Sequence, residues 1–284
     1  MSRFSRYISK DNKMLFIPYI TAGDPNADAT VDLALMLESL GAHAIELGIP
    51  YSDPLADGPV IQKASIRALN SGMTLERAMS LVPIMREKGL KIPVIIFTYY
   101  NLLLQLGEEQ FFKLAKNGDI DAVLVPDLPF EESCLLREKA KVHQIPLISL
   151  VAPTTSVERL KKIGEASEGF LYCVSSLGVT GVRDEFHPDV YHFLKNVKSA
   201  CDLPIAVGFG ISSYQQVEKL SPFCDGFIVG SVIVREVENR IDQLAKDDQR
   251  PLAVEEIKRT LSVKLFGPFE APNQNKGTES TAYS

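Results

Sequence analysis

Eight short apolar runs recur along this 284-residue chain, and each is followed by a segment with helical periodicity. The runs are continuously apolar rather than alternating, which is typical of parallel strands buried on both faces. Eight such strands alternating with helices predict a closed (β/α)8 TIM barrel, an α/β fold. The predicted strands lie within residues 15–23, 42–50, 92–101, 122–129, 145–153, 170–178, 203–211 and 225–233.

The segments between the runs have the pattern of amphipathic helices. After the first run, Leu33, Leu37 and Leu40 lie on one face of a helix, and Gly41 follows as its C-cap. A doubly wound open sheet shows the same alternation of strands and helices and is the competing architecture. The sequence favours the barrel, because no GxGxxG turn follows the first run.

One barrel domain accounts for nearly the whole chain. We expect a catalytic domain over residues 1–266, with an extra helix at 61–72, and a polar tail over 267–284. Barrels of about 250 residues fold as one domain, so the length does not require a second. The tail is rich in Pro, Gly, Ser and Thr, a composition typical of disordered segments.

Composition excludes several classes of function. Lys and Arg total 30 against 36 Asp and Glu, and this net charge of −6 does not suit a general nucleic-acid binder. No stretch reaches the roughly 18 apolar residues of a membrane helix. The first residues lack the apolar core of a signal peptide, and the four cysteines show no CxxC spacing. We therefore expect a cytoplasmic protein without a disulfide framework or zinc site.

Two acidic residues lie in and just after the second predicted strand. Alternation along that strand places Glu46 on the opposite face from Ile45 and Leu47, toward the barrel mouth or a helix. A carboxyl group beneath apolar neighbours has a raised pKa and can both donate and accept a proton. The proline-rich loop 50–59 then carries Asp57. A structural ion pair is the alternative for Glu46, but the neighbouring acidic loop favours catalysis.

The last three predicted strands end in glycine. Free backbone amides and helix N-termini at such turns can hold a phosphate dianion, and the loops after strands seven and eight are the recurrent phosphate site of this fold. Any one glycine could simply serve a tight turn, but together they favour a phosphorylated substrate. The glycines at these strand ends are Gly178, Gly181, Gly208, Gly210 and Gly230.

Residue types that are absent from the predicted strand ends narrow the chemistry. No lysine lies there, so a Schiff-base aldolase has no obvious nucleophile. The four histidines do not cluster, which argues against a histidine-rich metal site. Proton transfer by carboxyl groups on a phosphorylated substrate, without a metal, is the chemistry that remains.

The segment ELGIPYSDPLADGP, residues 46–59, resembles the signature of the tryptophan synthase alpha subunit. The resemblance covers about residues 1–266. It implies a lyase that cleaves indole-3-glycerol phosphate to indole and glyceraldehyde 3-phosphate without a cofactor of its own. It also implies a pyridoxal-phosphate beta subunit as partner in an alpha2beta2 complex, to which indole passes through a tunnel. Five further segments match the family in order: PYITAGDP (18–25), VPDLP (125–129), GVTG (178–181), GFGIS (208–212) and VGS (229–231).

The same resemblance implies roles for individual residues. Glu46 would be the general acid and base, and Asp57 would bind the indole N–H. Thr180, in a mobile loop after strand six, would position Asp57 when that loop closes. The residues expected to line the substrate are Tyr19, Tyr172 and Phe209. Those expected to hold the phosphate are Gly181, Gly210, Gly230 and Ser231, and those expected at the beta-subunit contact are Pro50 and Asp53.

Two features depart from the family pattern, and two other functions stay open. Ser176 occupies a position where the family often carries arginine, and the tail beyond Gly267 is longer than usual. One alternative is another phosphate-binding barrel, an isomerase or a synthase that makes indole-3-glycerol phosphate. The other is a non-catalytic barrel that regulates a partner. The missing strand-end lysine argues against the synthase, and the two acids, Glu46 and Asp57, argue against a regulatory remnant.

Overall fold

The eight apolar runs each contain one strand. The computed structural model describes residues 2–10, 14–174, 188–208 and 210–267. Each strand pairs in parallel with the next, and β1 also pairs with β8, so the predicted closed barrel is confirmed. The strands are β1 (Leu15–Thr21), β2 (Ile45–Gly48), β3 (Val94–Phe97), β4 (Ala122–Leu124), β5 (Leu147–Val151), β6 (Leu171–Val174), β7 (Ile205–Gly208) and β8 (Gly226–Val229).

Helices connect the strands, as their periodicity predicts. The extra helix expected at 61–72 is present as α3, between β2 and the helix that leads to β3. A short 3-10 turn, Phe130–Glu132, follows β4. The helices are α1 (Arg3–Tyr7), α2 (Ala27–Ser39), α3 (Pro59–Asn70), α4 (Leu75–Glu87), α5 (Tyr100–Leu106), α6 (Glu108–Asn117), α7 (Cys134–His143), α8 (Val157–Ala166), α9 (Pro188–Ala200), α10 (Tyr214–Leu220), α11 (Ser231–Glu238), α12 (Ile241–Leu244) and α13 (Arg250–Phe266).

The strands are shorter than the apolar runs that predict them. The run 225–233, for example, contains β8 and then the first residues of α11. The residues beyond the strand remain apolar because the first turn of α11 faces the core: Val232 and Ile233 are both buried. Hydrophobicity therefore marks the position of each strand but not the residue at which its hydrogen-bonded ladder ends.

Side chains pack in two layers, one inside the barrel and one between the barrel and its helices. Along β1, Ile17 and Tyr19 belong to the inner layer, whereas Phe16 and Ile20 belong to the outer layer. A filled interior is normal for this fold. Helix α1, which the sequence does not predict, adds Phe4 to the inner layer, stacked on Phe170 just before β6 with ring centroids 6.5 Å apart. Because β6 begins there, α1 covers the amino-terminal end of the barrel.

The predicted division of the chain stays a prediction. The helices and strands extend from Arg3 to Phe266, and the proposed tail lies outside the described residues except for Gly267. No helix among the described residues combines the length and apolar character needed to cross a membrane.

Candidate active site

Glu46 lies on the inner face of β2. Its strand neighbour Ala44 belongs to the inner layer, and the parallel register places Glu46 beside Tyr19 of β1 and Ile95 of β3. The side chain is 1% exposed, and its Oε1 has no hydrogen-bond partner among the described residues. Burial raises the pKa of this carboxyl group to about 8. Glu46 is therefore a buried, mostly protonated acid at neutral pH rather than a member of a structural ion pair.

Asp57 approaches the barrel interior from the loop 50–59. Its Oδ2 accepts a hydrogen bond from the Tyr99 hydroxyl at 3.0 Å. Burial raises the pKa of Asp57 to about 6, and the Tyr99 hydrogen bond opposes that rise because it favours the carboxylate. The two acids of the site thus differ by about two pKa units, and near pH 7 Asp57 is mostly ionised while Glu46 is mostly protonated.

Two buried phenols bring the acids into one site. Tyr19 and Tyr172 are each 5% exposed, and burial is the main cause of their raised pKa values. Both Glu46 and Asp57 add to the rise for both phenols through the repulsion of their negative charges. Each phenol is thus near both acids, so Glu46, Asp57, Tyr19 and Tyr172 lie in one region of the barrel.

Two glycines make room for these phenol rings. A Cβ at Gly48, at the end of β2, would overlap the Tyr19 phenol, and one at Gly208, at the end of β7, would overlap the Tyr172 phenol. The close approach of a ring to the backbone thus requires glycine at both strand ends. The phenols lie flat over neighbouring strands and form part of the inner surface of the barrel mouth.

Tyr99 is a site residue that the sequence analysis did not identify. It follows β3, is 3% exposed, and its hydroxyl accepts the backbone N–H of Ala56 at 3.0 Å while donating to Asp57. Its ring stacks on Tyr51 with centroids 4.8 Å apart. The sequence contained a signal that could have identified it. Every second residue from Ile95 faces the barrel interior, and this alternation reaches Tyr99 at the end of the predicted strand. Tyr99 therefore ties the Asp57 loop to β3.

We expect Tyr99→Phe to raise the pKa of Asp57 above about 6, because the variant removes the hydrogen bond from a described residue that lowers it. Carboxyl carbon NMR titration of Asp57 measures this shift directly. Tyr51→Phe is the matched control, since the Tyr51 hydroxyl accepts from Asn101 rather than donating to Asp57. An unchanged Asp57 titration in Tyr99→Phe would contradict this role.

The structure describes three of the four residues predicted to bind the phosphate, namely Gly210, Gly230 and Ser231. Gly230 precedes α11, and Ser231 is the first residue of that helix. Gly210 lies after β7 with a φ of 82°, a conformation that favours glycine. Thr180, Gly181 and Phe209 lie outside the described residues.

The predicted contact residues differ in exposure. Pro50 is buried within the chain's own fold, whereas Asp53 is exposed on the loop 50–59. Their place at a partner interface stays a prediction. Among the described residues, no group of three or more His, Cys, Asp or Glu side chains is arranged to hold a metal ion.

Comparison with known proteins identifies the family. A model of the family described as "Tryptophan synthase alpha chain" matches residues 5–262. The chain is 57% identical over 246 residues to the tryptophan synthase alpha chain of Geobacillus kaustophilus, covering 87% of this chain and 91% of the relative. It is 53% identical to that of Bacillus subtilis, covering 87% and 92%.

Solved structures give the same result. A structure from the tryptophan synthase a2b2 complex of Pyrococcus furiosus is 37% identical, with a TM-score of 0.79, and the match covers 90% of this chain and 99% of that one. The alpha subunit of Legionella pneumophila is 32% identical with a TM-score of 0.80, covering 92% and 99%. With its barrel, its paired acids and these relatives, the chain belongs to the tryptophan synthase alpha chain family.

Proposed function

We propose that the carboxyl group of Glu46 is the general acid and base with which this chain cleaves indole-3-glycerol phosphate to indole and glyceraldehyde 3-phosphate. The observation that carries the proposal is a 1% exposed acid with an unpartnered oxygen and a pKa of about 8, inside the barrel near Asp57. Acids tuned in this way to near the working pH are efficient proton donors and acceptors. Asp57 is the second catalytic residue.

The cleavage needs the indole ring to become a leaving group. Protonation of indole C3 by Glu46 gives an indolenine whose ring nitrogen is positively charged. The ionised Asp57 stabilises that charge from a fixed position, held by Tyr99. Loss of the proton from the C3′ hydroxyl then breaks the C3–C3′ bond and forms the aldehyde. Glu46, left as a carboxylate by the first transfer, can accept this proton, so no proton is gained or lost overall.

The two pKa values predict a bell-shaped dependence of kcat/KM on pH. Asp57 must be ionised, so the rate falls as pH drops below about 6, and Glu46 must be protonated, so the rate falls above about 8. Indole release measured across this range, with folding followed by circular dichroism, tests both limbs. A rate that stays level well above pH 8 would contradict Glu46 as the proton donor.

We propose that the substrate phosphate binds where β7 and β8 end, at Gly210, Gly230 and Ser231, with Gly181 from the preceding loop. Helix α11 begins at Ser231, so its free amide groups and positive helix end suit a dianion. The aromatic part of the substrate then extends toward Tyr19 and Tyr172. Tyr19 is a close neighbour of Gly230, since a Cβ at Gly230 would contact the Tyr19 Cβ at 3.5 Å.

Gly230→Ala tests the phosphate site without disturbing the fold. The added Cβ would meet Ile61 and Tyr19 at ordinary contact distances of 3.4 and 3.5 Å, so stability should change little. It should hinder the approach of a phosphate to the backbone, which raises KM and reduces the thermal stabilisation by glyceraldehyde 3-phosphate. Stabilisation equal to that of the unchanged chain would place the phosphate elsewhere.

We propose a tryptophan synthase beta subunit as the partner, in an alpha2beta2 complex. Support comes from the solved a2b2 complex of Pyrococcus furiosus, and from Leu55, which is 85% exposed on the same loop as Asp57. Asp53 is exposed beside it, so these two side chains are better contact candidates than the buried Pro50. As a member of this family the chain needs no cofactor, and pyridoxal phosphate belongs to the beta subunit.

We place the chain in the cytoplasm as a further part of the proposal. Its four cysteines are free thiols, and Cys173, Cys201 and Cys224 are buried. Free thiols are usual in reducing compartments. Fractionation of cells that express the full chain tests this placement.

Indole release from indole-3-glycerol phosphate, assayed with and without a beta subunit, tests the function. We expect release by the isolated chain and faster release in the complex. A chain that binds the beta subunit but releases no indole in either state would support the non-catalytic alternative.

A further inference from the structure

A cavity of about 270 Å³ lies at the ends of β4 and β5, beside α7. The acids and phenols of the candidate active site, Glu46, Asp57, Tyr19, Tyr99 and Tyr172, do not line it. Its volume is just below the range of ordinary ligand pockets, which indicates a ligand of about one aromatic ring. The apolar part of its lining comprises Val125, Leu128, Phe130, Leu147, Ile148 and Leu150.

Arg137 of α7 is the cationic group of this cavity. Its Nε donates to the Ser133 hydroxyl at 2.9 Å and its Nη2 to the Ser149 hydroxyl at 2.7 Å. Its Nη1 faces the carbonyl oxygens of Leu147 and Ala166 at the long distances of 3.4 and 3.5 Å. A guanidinium has five N–H hydrogens, so at least one on Nη2 has no acceptor among the described residues.

Every described hydrogen-bond acceptor of Arg137 is neutral, which distinguishes it from other partly buried arginines in this chain. Arg67 pairs with Asp24 at 2.8 Å, and Arg86 pairs with Asp121 at 2.7 Å. Glu168, the acid that acts on Arg137 electrostatically, is exposed and forms no ion pair with it. The guanidinium lies over the Phe130 ring, 5.0 Å from the ring centroid, which stabilises the cation in part but does not neutralise it. A partly buried cation still favours a negative partner, so the cavity presents a positive charge that no described carboxylate pairs with.

The other charged groups of the lining do not supply that negative charge. Asp127 is exposed, and its Oδ1 accepts the backbone N–H of Tyr100 at 2.9 Å. Arg159 already has a carboxylate partner in Glu131, at 2.7 Å. The cavity therefore combines apolar walls with one cation that lacks a counter-ion, and this combination selects a ligand with an apolar body and a single negative charge.

We propose that this cavity binds a small aromatic or branched aliphatic monocarboxylate, whose carboxylate pairs with Arg137. The apolar body lies against Leu128, Phe130 and Leu147, which belong to the outer layer, and the carboxylate accepts the free Nη2 hydrogen of Arg137. A charge-assisted hydrogen bond of this kind is roughly twice as strong as a neutral one. The site is independent of the reaction proposed for Glu46 and Asp57, so a failure of either proposal leaves the other intact.

Benzoate is the probe, and benzyl alcohol is its neutral counterpart of nearly the same size. We expect benzoate, added to the 15N-labelled full chain, to shift the Arg137 Nε–Hε signal saturably, and benzyl alcohol to leave it unshifted. The signal is assigned with Arg137→Lys. The shift should persist with indole and glyceraldehyde 3-phosphate present, since those ligands occupy the active site. No shift, an equal shift with both probes, or a shift that the active-site ligands abolish would each overturn the proposal.

A pair of variants adds an affinity measurement. Arg137→Gln should weaken benzoate binding at least about tenfold by calorimetry, since it removes the charge from the pairing group. Lys141→Gln is the control: it removes one positive charge from the exposed face of the same helix, α7, outside the cavity lining, and we expect benzoate affinity within about twofold of that of the unchanged chain. Equal affinities for Arg137→Gln and the unchanged chain would overturn the proposal. The NMR titration of the Arg137 Nε–Hε signal with benzoate is measured on the unchanged chain, so it tests the proposal even if Arg137→Gln folds poorly.

Discussion

Glu46→Gln is expected to lower the turnover of indole-3-glycerol phosphate at least about 100-fold, the low end for a positioned acid–base group. Glutamine has nearly the size and shape of the protonated acid but cannot donate a proton to indole C3 or accept one from the C3′ hydroxyl. KM should change much less, because the phosphate and ring contacts are unaltered. Single-turnover indole release measures the chemical step directly. Turnover near that of the unchanged chain would exclude Glu46 from proton transfer.

The stability of Glu46→Gln separates lost chemistry from a lost fold. The pKa of Glu46 is about 8 in the folded chain and near 4.5 in the unfolded one, so the folded state holds a proton that the unfolded state has released between those values. The free energy of unfolding of the unchanged chain therefore falls as pH rises from about 4.5 to about 8. The glutamine side chain of Glu46→Gln does not titrate, so urea unfolding at pH 5 and pH 9 should show the variant gaining stability relative to the unchanged chain.

Asp57→Asn is expected to lower turnover by about 10²- to 10³-fold, the usual effect of removing a preorganised electrostatic contact to the transition state. The amide oxygen can still accept from Tyr99, so the loop should keep its position, but the negative charge opposite the indolenine nitrogen is gone. The loss should appear mainly in kcat, because the positive charge exists only after C3 is protonated.

Asp248→Asn is the matched control for Asp57→Asn, since it changes the same groups at an exposed position away from the barrel mouth. We expect its turnover to stay within about twofold of that of the unchanged chain. Asp57→Asn should also lose the acid limb of the pH profile near pH 6. Retention of that limb would show that another group titrates there and that Asp57 does not supply the charge.

The sequence predicts the parts of this fold that depend on local patterns. Continuous apolar runs predict the strands, and alternation along β2 correctly directs Glu46 inward. Helix α1 was not predicted, because it spans only five residues, and Phe4 is its single buried residue. Phe4 packs on Phe170, a residue far away in the sequence, and no local sequence pattern predicts such a contact.

In the candidate site too, local patterns predict single residues but not the contacts between distant ones. Glu46 and Asp57 could be identified because each lies at or just after a predicted strand end. The hydrogen bond from Tyr99 to Asp57 joins residues 42 positions apart, and it depends on how the loop 50–59 folds over β3. The sequence also does not predict that Arg137 lacks a carboxylate partner, since an arginine in an amphipathic helix ordinarily indicates an exposed face.

The two glycines beneath the phenols make substitutions at four positions depend on one another in pairs: Gly48 with Tyr19, and Gly208 with Tyr172. Any side chain at Gly48 would displace the Tyr19 ring, and any side chain at Gly208 would displace the Tyr172 ring. A change at either glycine is thus harmful while its tyrosine is present, yet the same change could be tolerated once that tyrosine has become smaller. In descendants of this chain, a substitution at Gly48 or Gly208 therefore requires a smaller residue in place of the tyrosine it contacts, and the loss of that ring would act as a suppressor of the glycine mutation.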